Sequence, residues 1–371
     1  MSNAAVRQEL IAAARQIVVK VGTAAITDEA GRLDRSVVSH LAAQIANVRS
    51  RGAGVTLVAS GAIGAGLDEL DLACRPRTME MLQAVAAVGQ GQLMRTFSDA
   101  FGRRGVKVAQ VLVTRDDFED RARYLNIRNT LRALGDVRAL PILNENDAVA
   151  VDEIRFGDND IIAAHVTNML GADLLVLLTN VAGLMRNGRV VDVIERVDDE
   201  TRSLVQADRS RLGSGGMATK LAAAEMVTRA GEVAVIAHAR MPKVLTRLLA
   251  GERVGTVFVP ARRKMSSRRR WIGQASRPAG KLIVDDGAAR ALTQSGKSLL
   301  PSGITEVIGR FGQGATVSVL DAAGREIARG LTNYSADQIE KIKGLKTARI
   351  AQVLGDKPYD EVIHRNNMML R

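Results

Sequence analysis

A single cysteine, Cys74, in a chain of 371 residues leaves no internal disulfide framework and points to a reducing compartment. Aromatic residues amount to only 3%, with one Trp and three Tyr, so Ala, Val, Leu and Ile must build most of any core. That composition suits α/β proteins whose parallel strands are buried on both faces. No apolar run approaches the roughly 18 residues of a membrane span, and the N-terminus alternates small, polar and charged residues through Arg15 without a secretory pattern. A soluble, cytoplasmic chain is therefore expected. The hydrophobic fraction of 46% excludes a disordered chain. The length exceeds one ordinary core of roughly 100–200 residues, which argues for two domains. A formal net charge of +12 invites polyanionic partners, whether nucleic acid, anionic membrane or a phosphate-bearing substrate, without choosing among them.

The first 260 or so residues alternate short β-branched runs with longer helical patterns. Strands are expected at Gln16–Lys20, Val55–Ala59, Val106–Val113, Leu140–Leu143, Leu174–Leu178, Val233–Ala237 and Thr256–Val259. Helices are expected between them, at 35–51, 78–103 and 126–135. The alternation predicts βαβ crossovers and an open, mostly parallel sheet covered by helices. A basic stretch from Arg262 to Trp271 has no clear strand or helix period and reads as a linker. Beyond Pro278, short strands at Lys281–Val284, Thr316–Leu320 and Glu326–Leu331 separated by glycine turns predict a small β-rich module. The expected division is 1–262 for the α/β domain, 263–277 for the linker, 278–358 for the β-rich domain and 359–371 for a tail.

In a doubly wound sheet, ligands sit beyond the carboxyl ends of the strands. The first strand ends Lys20-Val21-Gly22-Thr23, a lysine at the tip followed by a glycine that lets backbone amides approach an anion. The second runs into Ser60-Gly61-Ala62-Ile63-Gly64-Ala65-Gly66, a turn of the kind that binds anions at a helix start. The fourth leads into Asn144-Glu145-Asn146-Asp147, then Asp152-Glu153 and Phe156-Gly157-Asp158-Asn159-Asp160, the most polar stretch of the chain. Short amides and carboxylates flanked by turn formers suit an amine or a metal ion. A two-metal hydrolase would place histidines beside these acids; only His165 is close, and it reads as a packed side chain in an apolar helix. A third glycine loop, Gly213-Ser214-Gly215-Gly216-Met217-Ala218-Thr219-Lys220, lacks both P-loop and GxGxxG spacing. Two lysines at loop ends, glycine turns and a carboxylate–amide cluster form a coherent set for moving a phosphoryl group onto an acidic acceptor.

With the order of Val18–Thr23, Ser60–Gly66, Leu82–Gln90, Asn144–Asp147, Phe156–Asp160 and Gly213–Lys220, followed by Gly296–Ile304, the chain resembles the glutamate 5-kinases of the amino-acid kinase superfamily, which carry a C-terminal PUA domain. The resemblance spans nearly the whole chain. It implies that Lys20 and Lys220 touch the ATP phosphates and that Asp160 sits between the two ammonium groups and orients them, the catalytic set. It implies that Ser60, Gly61, Ala62, Asp147 and Asn159 hold L-glutamate, with Asp147 facing the α-ammonium. It further implies that Gly22, Thr23, Thr179, Asn180 and the segment Ser214, Gly215, Gly216, Met217, Ala218, Thr219 hold ATP, with Mg²⁺ carried mainly by the phosphates rather than by protein ligands. The implied reaction yields L-glutamyl 5-phosphate, the first step of proline synthesis, without a covalent enzyme intermediate. A homodimer or tetramer, feedback inhibition by proline and hand-over to glutamyl phosphate reductase follow from the same resemblance.

One segment departs from the family pattern. Asn180 stands where the family usually has an acidic residue, Met185 where it has tyrosine, and the turn following Met185 is shortened. This implies altered nucleotide affinity rather than lost chemistry. The arginine-rich stretch 119–132 reads equally as a control loop or a solvated helix. Two alternatives stand beside the kinase: an RNA-binding PUA protein, which the scarcity of aromatic stacking residues disfavours, and an amino-acid kinase acting on another carboxylate.

Overall fold

The computed structural model describes residues 3–150, 158–212, 215–261 and 264–371. Two compact units emerge: one of residues 1–117 and 122–264, the other of residues 118–121 and 265–371.

The first unit is built on an eight-stranded sheet. Its strands are β1 (Gln16–Val21), β2 (Gly54–Ala59), β3 (Val108–Val113), β4 (Leu140–Glu145), β5 (Leu174–Thr179), β8 (Val193–Ile194), β9 (Val233–His238) and β10 (Thr256–Phe258), while β6 (Met185–Arg186) and β7 (Arg189–Val190) form a separate hairpin. The order across the sheet is β3-β4-β2-β1-β5-β9-β10-β8, parallel throughout except for the β9–β10 pair. The mostly parallel sheet expected from the apolar runs is therefore present. Val176 in the central β5 shows why those runs are apolar almost throughout, since every residue of that strand is buried.

Side-chain alternation assigns each strand residue to a face. Ile17, Val19 and Val21 of β1 join Leu57, Val176 and Val235 in one cluster, packed with Ile45, Phe97 and Leu248 from helices on that side. Val18 and Lys20 point the other way. The helix Asp158–Leu170 packs against β1, and the helix Gly215–Arg229 packs against both that helix and β9. A single lysine within an apolar strand thus faces the side where the two polar, ligand-like segments of the sequence begin their helices.

The turn after β2 depends on close backbone approach. The helices Ala62–Glu69 and Met79–Gly102 touch so tightly that a Cβ on Gly66 would lie 2.0 Å from Val85 O, and one on Gly89 would lie 1.9 Å from Ala62 O. Gly61, which caps the first of these helices, has φ of +113°.

The second unit contains a five-stranded sheet ordered β12-β11-β13-β14-β15, from β11 (Gly280–Val284), β12 (Ile304–Ile308), β13 (Thr316–Leu320), β14 (Glu326–Leu331) and β15 (Met368–Leu370). Leu282, Val319, Ile339 and Ile363 share its core. Two expectations change here. Residues 359–371, read as a tail, contribute β15, which pairs antiparallel with β14, and buried Val362 and Ile363. The segment read as a linker contains a helical turn at Ser267–Arg270 and a π-turn at Trp271–Ala275, with Trp271 and Ile272 buried. Its arginines masked the two apolar residues that anchor it. Arg262 and Arg263 lie outside the described residues.

Candidate active site

Lys20 is the next-to-last residue of β1, and its ammonium is buried against the carboxylate of Asp160 at 2.7 Å. Asp160 is the third residue of the helix Asp158–Leu170 and is itself fully buried. Lys220, on the helix Gly215–Arg229, reaches the other carboxylate oxygen at 3.1 Å and donates to Gly216 O at 3.0 Å. Thr219 Oγ1 lies 2.9 Å from the same Asp160 Oδ2 and 3.0 Å from Gly216 O. Two cations therefore share one carboxylate, leaving a net positive charge out of contact with bulk water.

The titration of the group follows from that imbalance. Burial is the largest influence on Lys20 and lowers its pKa; Asp160 opposes this and the nearby Lys220 charge adds to it. Burial alone would raise the Asp160 pKa, but the charges of Lys20 and Lys220 and their hydrogen bonds outweigh it and hold the carboxyl below its ordinary range. An anion entering between the two ammonium groups would relieve the excess. Gly22 leaves room beside the ammonium, because a Cβ there would stand 3.3 Å from Lys20 Nζ.

The loops implied to hold ligands follow the carboxyl ends of β1, β2, β4 and β5. Gly22 N donates to Leu178 O and Ser60 N donates to Val21 O, tying the ends of β1, β2 and β5 together. Thr23 opens a short helical turn to Ile26, and Ala62 is buried. Thr179 ends β5, with its hydroxyl donating to Asn180 Oδ1 at 3.2 Å; Asn180 itself is exposed. Beyond it, Met185 and Val190 pair in the β6–β7 hairpin, whose two-residue turn uses Asn187 and Gly188 at φ of +51° and +75°. An Asn-Gly type I′ turn closes this hairpin in the least possible length, which accounts for the shortened segment. Asn159 precedes Asp160 and donates to Asn144 Oδ1 at 3.0 Å. Asp147 lies partly buried beyond β4, and its charge acts on Arg75 from the segment before the helix Met79–Gly102. Gly215, Met217 and Ala218 belong to the first turns of the helix that carries Lys220. Ser214, Gly213 and the stretch from Val151 to Gly157, including Asp152, Glu153 and Phe156, lie outside the described residues.

The structure thus joins Lys20, Asp160, Thr219 and Lys220 directly, and links Asn159 to a second cluster through Asn144. Among the described residues, no hydrogen bond or ion pair joins Ser60, Gly61 or Thr179 to the triad. Sequence reading overlooked a role for Asn144 and Gln90, although both fall inside motifs; an amide at a strand's carboxyl end and one beside Gly89 were the available signals. His165 is buried in the same helix as Asp160, in line with the packed reading. Burial first and the Arg115 charge second push its pKa down to about 4.

A neutral buried histidine has a stability consequence. Its folded pKa lies below the unfolded value near 6.5, so the stability it confers is complete above that pH and is lost as pH falls toward 4. The whole effect is on the order of 3 kcal/mol. Urea unfolding between pH 7 and pH 4 should show a decline that His165→Phe flattens; parallel profiles for the two proteins would remove histidine from the account.

Residues 15–238 match the model of the amino acid kinase family, and residues 280–354 match that of the PUA domain. The chain belongs to the amino acid kinase family. A protein of Caldanaerobacter subterraneus subsp. tengcongensis named glutamate 5-kinase is 46% identical over 362 residues, spanning 96% of this chain and 97% of its own. Another of that name, from Geobacter sp. strain M21, is 44% identical over 371 residues, 98% of this chain and 100% of its own. Among solved structures, the carbamate kinase from Giardia lamblia bound to AMP-PNP is 22% identical, covering 67% of this chain and all of that one, with a TM-score of 0.49. The resemblance drawn from the ordered motifs is borne out across both units of this amino acid kinase. Among the described residues of this family member, no helix is long and apolar enough to cross a membrane.

Proposed function

We propose that this chain transfers the γ-phosphoryl group of ATP to the γ-carboxylate of L-glutamate, forming L-glutamyl 5-phosphate and ADP. The observation that carries the reading is the buried Lys20–Asp160–Lys220 group at the carboxyl end of the parallel sheet. Phosphoryl transfer asks mainly for positioning and for neutralisation of charge on the moving group. Lys20 and Lys220 supply two point charges held on opposite oxygens of one carboxylate, so their separation is set before substrate arrives. The substrate carboxylate is already a nucleophile, and attack on the γ-phosphorus forms the new O–P bond as the bond to the β-phosphate oxygen breaks. No covalent enzyme intermediate is required.

Ser60, Gly61, Ala62, Asp147 and Asn159 are assigned to glutamate in this reading, and Gly22, Thr23, Thr179, Asn180 and Gly215–Lys220 to the nucleotide. Mg²⁺ belongs with the phosphates. Asp160 is committed to both lysines, and among the described residues no group of three or more His, Cys, Asp or Glu side chains is placed to hold a metal. Phosphate and water oxygens would be its ligands, and the ion supplies further charge neutralisation. The product is a labile acyl phosphate, which fits hand-over to glutamyl phosphate reductase. A cytoplasmic homodimer or tetramer under feedback by proline completes the proposal.

Purified protein with ATP, Mg²⁺ and glutamate should yield a hydroxylamine-trappable acyl phosphate. Lys20→Ala and Lys220→Ala should each lower kcat by about 10²-fold or more, with the unfolding midpoint as the check on folding. Turnover of aspartate or N-acetylglutamate in place of glutamate would reject the substrate assignment.

A further inference from the structure

Three side-chain amides at the end of β4 are locked in one orientation by a single backbone group. Glu145 N donates to Asn144 Oδ1 at 2.9 Å, so that atom is an oxygen and the amide's other end is its donor. Asn144 Nδ2 then donates to Gln90 Oε1 at 2.8 Å. On the other side, Asn159 Nδ2 donates to Asn144 Oδ1 at 3.0 Å. With its oxygen spent, Gln90 turns its nitrogen outward; with its nitrogen spent, Asn159 turns its oxygen outward. Both outward atoms, Gln90 Nε2 and Asn159 Oδ1, are buried and have no hydrogen-bond partner among the described residues. Buried polar atoms left open in this way cost stability unless a ligand completes them.

One end of the relay offers a donor and the other an acceptor. A carboxylate and an ammonium group on the same carbon present the complementary pair. We propose that Gln90 is a specificity-determining residue whose Nε2 donates to the α-carboxylate of the amino-acid substrate, while Asn159 Oδ1 accepts from its α-ammonium group. The inference rests on the glutamate reading above and extends it to a residue that reading does not use. Asn144 is 3% exposed, which fixes the middle of the relay. Gly89, beside Gln90, presses its helix onto Ala62 and so sets the position of Gln90 relative to the Ser60–Ala62 turn. Asp147, three residues along from Asn144, acts on the charge of Arg75.

The test compares the parent and Gln90→Glu on L-glutamate and on isoglutamine, its α-carboxamide, both of which retain the γ-carboxylate, by hydroxylamine trapping. The substituted carboxylate still accepts from Asn144 Nδ2 but turns an anionic oxygen toward the substrate in place of an N–H. The ratio of kcat/KM for glutamate over isoglutamine should fall by about tenfold or more, with the KM for ATP retained. An unchanged ratio overturns the assignment. Gln90→Met, which keeps the size and loses both amide bonds, guards against misfolding of the first variant. It should raise the glutamate KM by roughly tenfold with the ATP KM retained, and a glutamate KM equal to the parent's also overturns it. If the parent forms no hydroxamate from glutamate, the functional reading itself falls and the assignment with it.

Discussion

Asp160→Asn is expected to destabilise the first unit by about 3–5 kcal/mol, the cost of removing one member of a buried ionic group. The carboxylate lies 2.7 Å from one ammonium and 3.1 Å from the other, and all three side chains are buried. An asparagine oxygen can accept from one lysine but compensates neither charge, and burial already lowers the Lys20 pKa. One lysine in the variant therefore sheds its proton on folding. Its folded pKa falls further below the unfolded value near 10.4, so the unfolded state binds more protons between those values and the variant regains stability as pH rises through that window. Urea unfolding at pH 7 and pH 9.5 should show the deficit shrinking at the higher pH. Turnover should drop by about 10²-fold or more, because both lysines lose the group that sets their spacing. Parent-like stability at pH 7 would mean that the two ammonium groups do not depend on Asp160.

Gly89→Ala should be nearly as severe. The added Cβ would meet Ala62 O at 1.9 Å, Gly66 N at 2.2 Å and Gly66 Cα at 2.7 Å. All three are backbone atoms, with no flexible side-chain end to yield, so the two helices must separate. Overpacking of a core usually costs 1–3 kcal/mol, and a backbone-to-backbone clash should reach about 3 kcal/mol or more. Ala62 adjoins the Ser60–Gly61 turn, so the same shift should raise the glutamate KM. Gly91, two residues on in the same helix, is exposed and has open space where its Cβ would go. Gly91→Ala should therefore stabilise by about 0.5–1 kcal/mol through helix propensity alone. Equal unfolding midpoints for the two variants would contradict the tight helix contact.

The central strands were legible because parallel strands buried on both faces leave unbroken apolar runs, as Leu174–Leu178 does. Lys20 stood out against such a run, and its position at a strand end was enough to mark it. The short strands Met185–Arg186, Arg189–Val190 and Val193–Ile194 were not legible, since two residues carry no period. Arg7 shows another limit. It lies in a polar-looking N-terminal stretch, yet it is 1% exposed, paired with Asp192 and bonded to the carbonyls of Val254 and Gly255. A long-range partner settles its burial, and no local pattern encodes that. The amide relay was hidden for a similar reason: Gln90, Asn144 and Asn159 come from separate segments, and the orientation of each depends on the Glu145 N–H. The basic stretch misled in the opposite direction. Lys264 pairs with Glu232 at 3.1 Å and with Asp173 at 3.4 Å, and Arg270 is buried with its Nε donating to Met265 O. Part of the charge that invited a polyanion is therefore spent within the chain.

The three charges of the Lys20–Asp160–Lys220 group come from a strand near the chain's beginning and from two helices far along it. Closing those long loops is entropically unfavourable until the sheet and both helices are in place. The group therefore depends on the whole sheet and both helices rather than on any one segment. A chain ending before Lys220 would lack the second cation, and also Val233, Val235 and Leu248, which share one core with β1 and β5. The core around β1 and the paired cations are thus completed by the same stretch of the unit, from the helix Gly215–Arg229 onward.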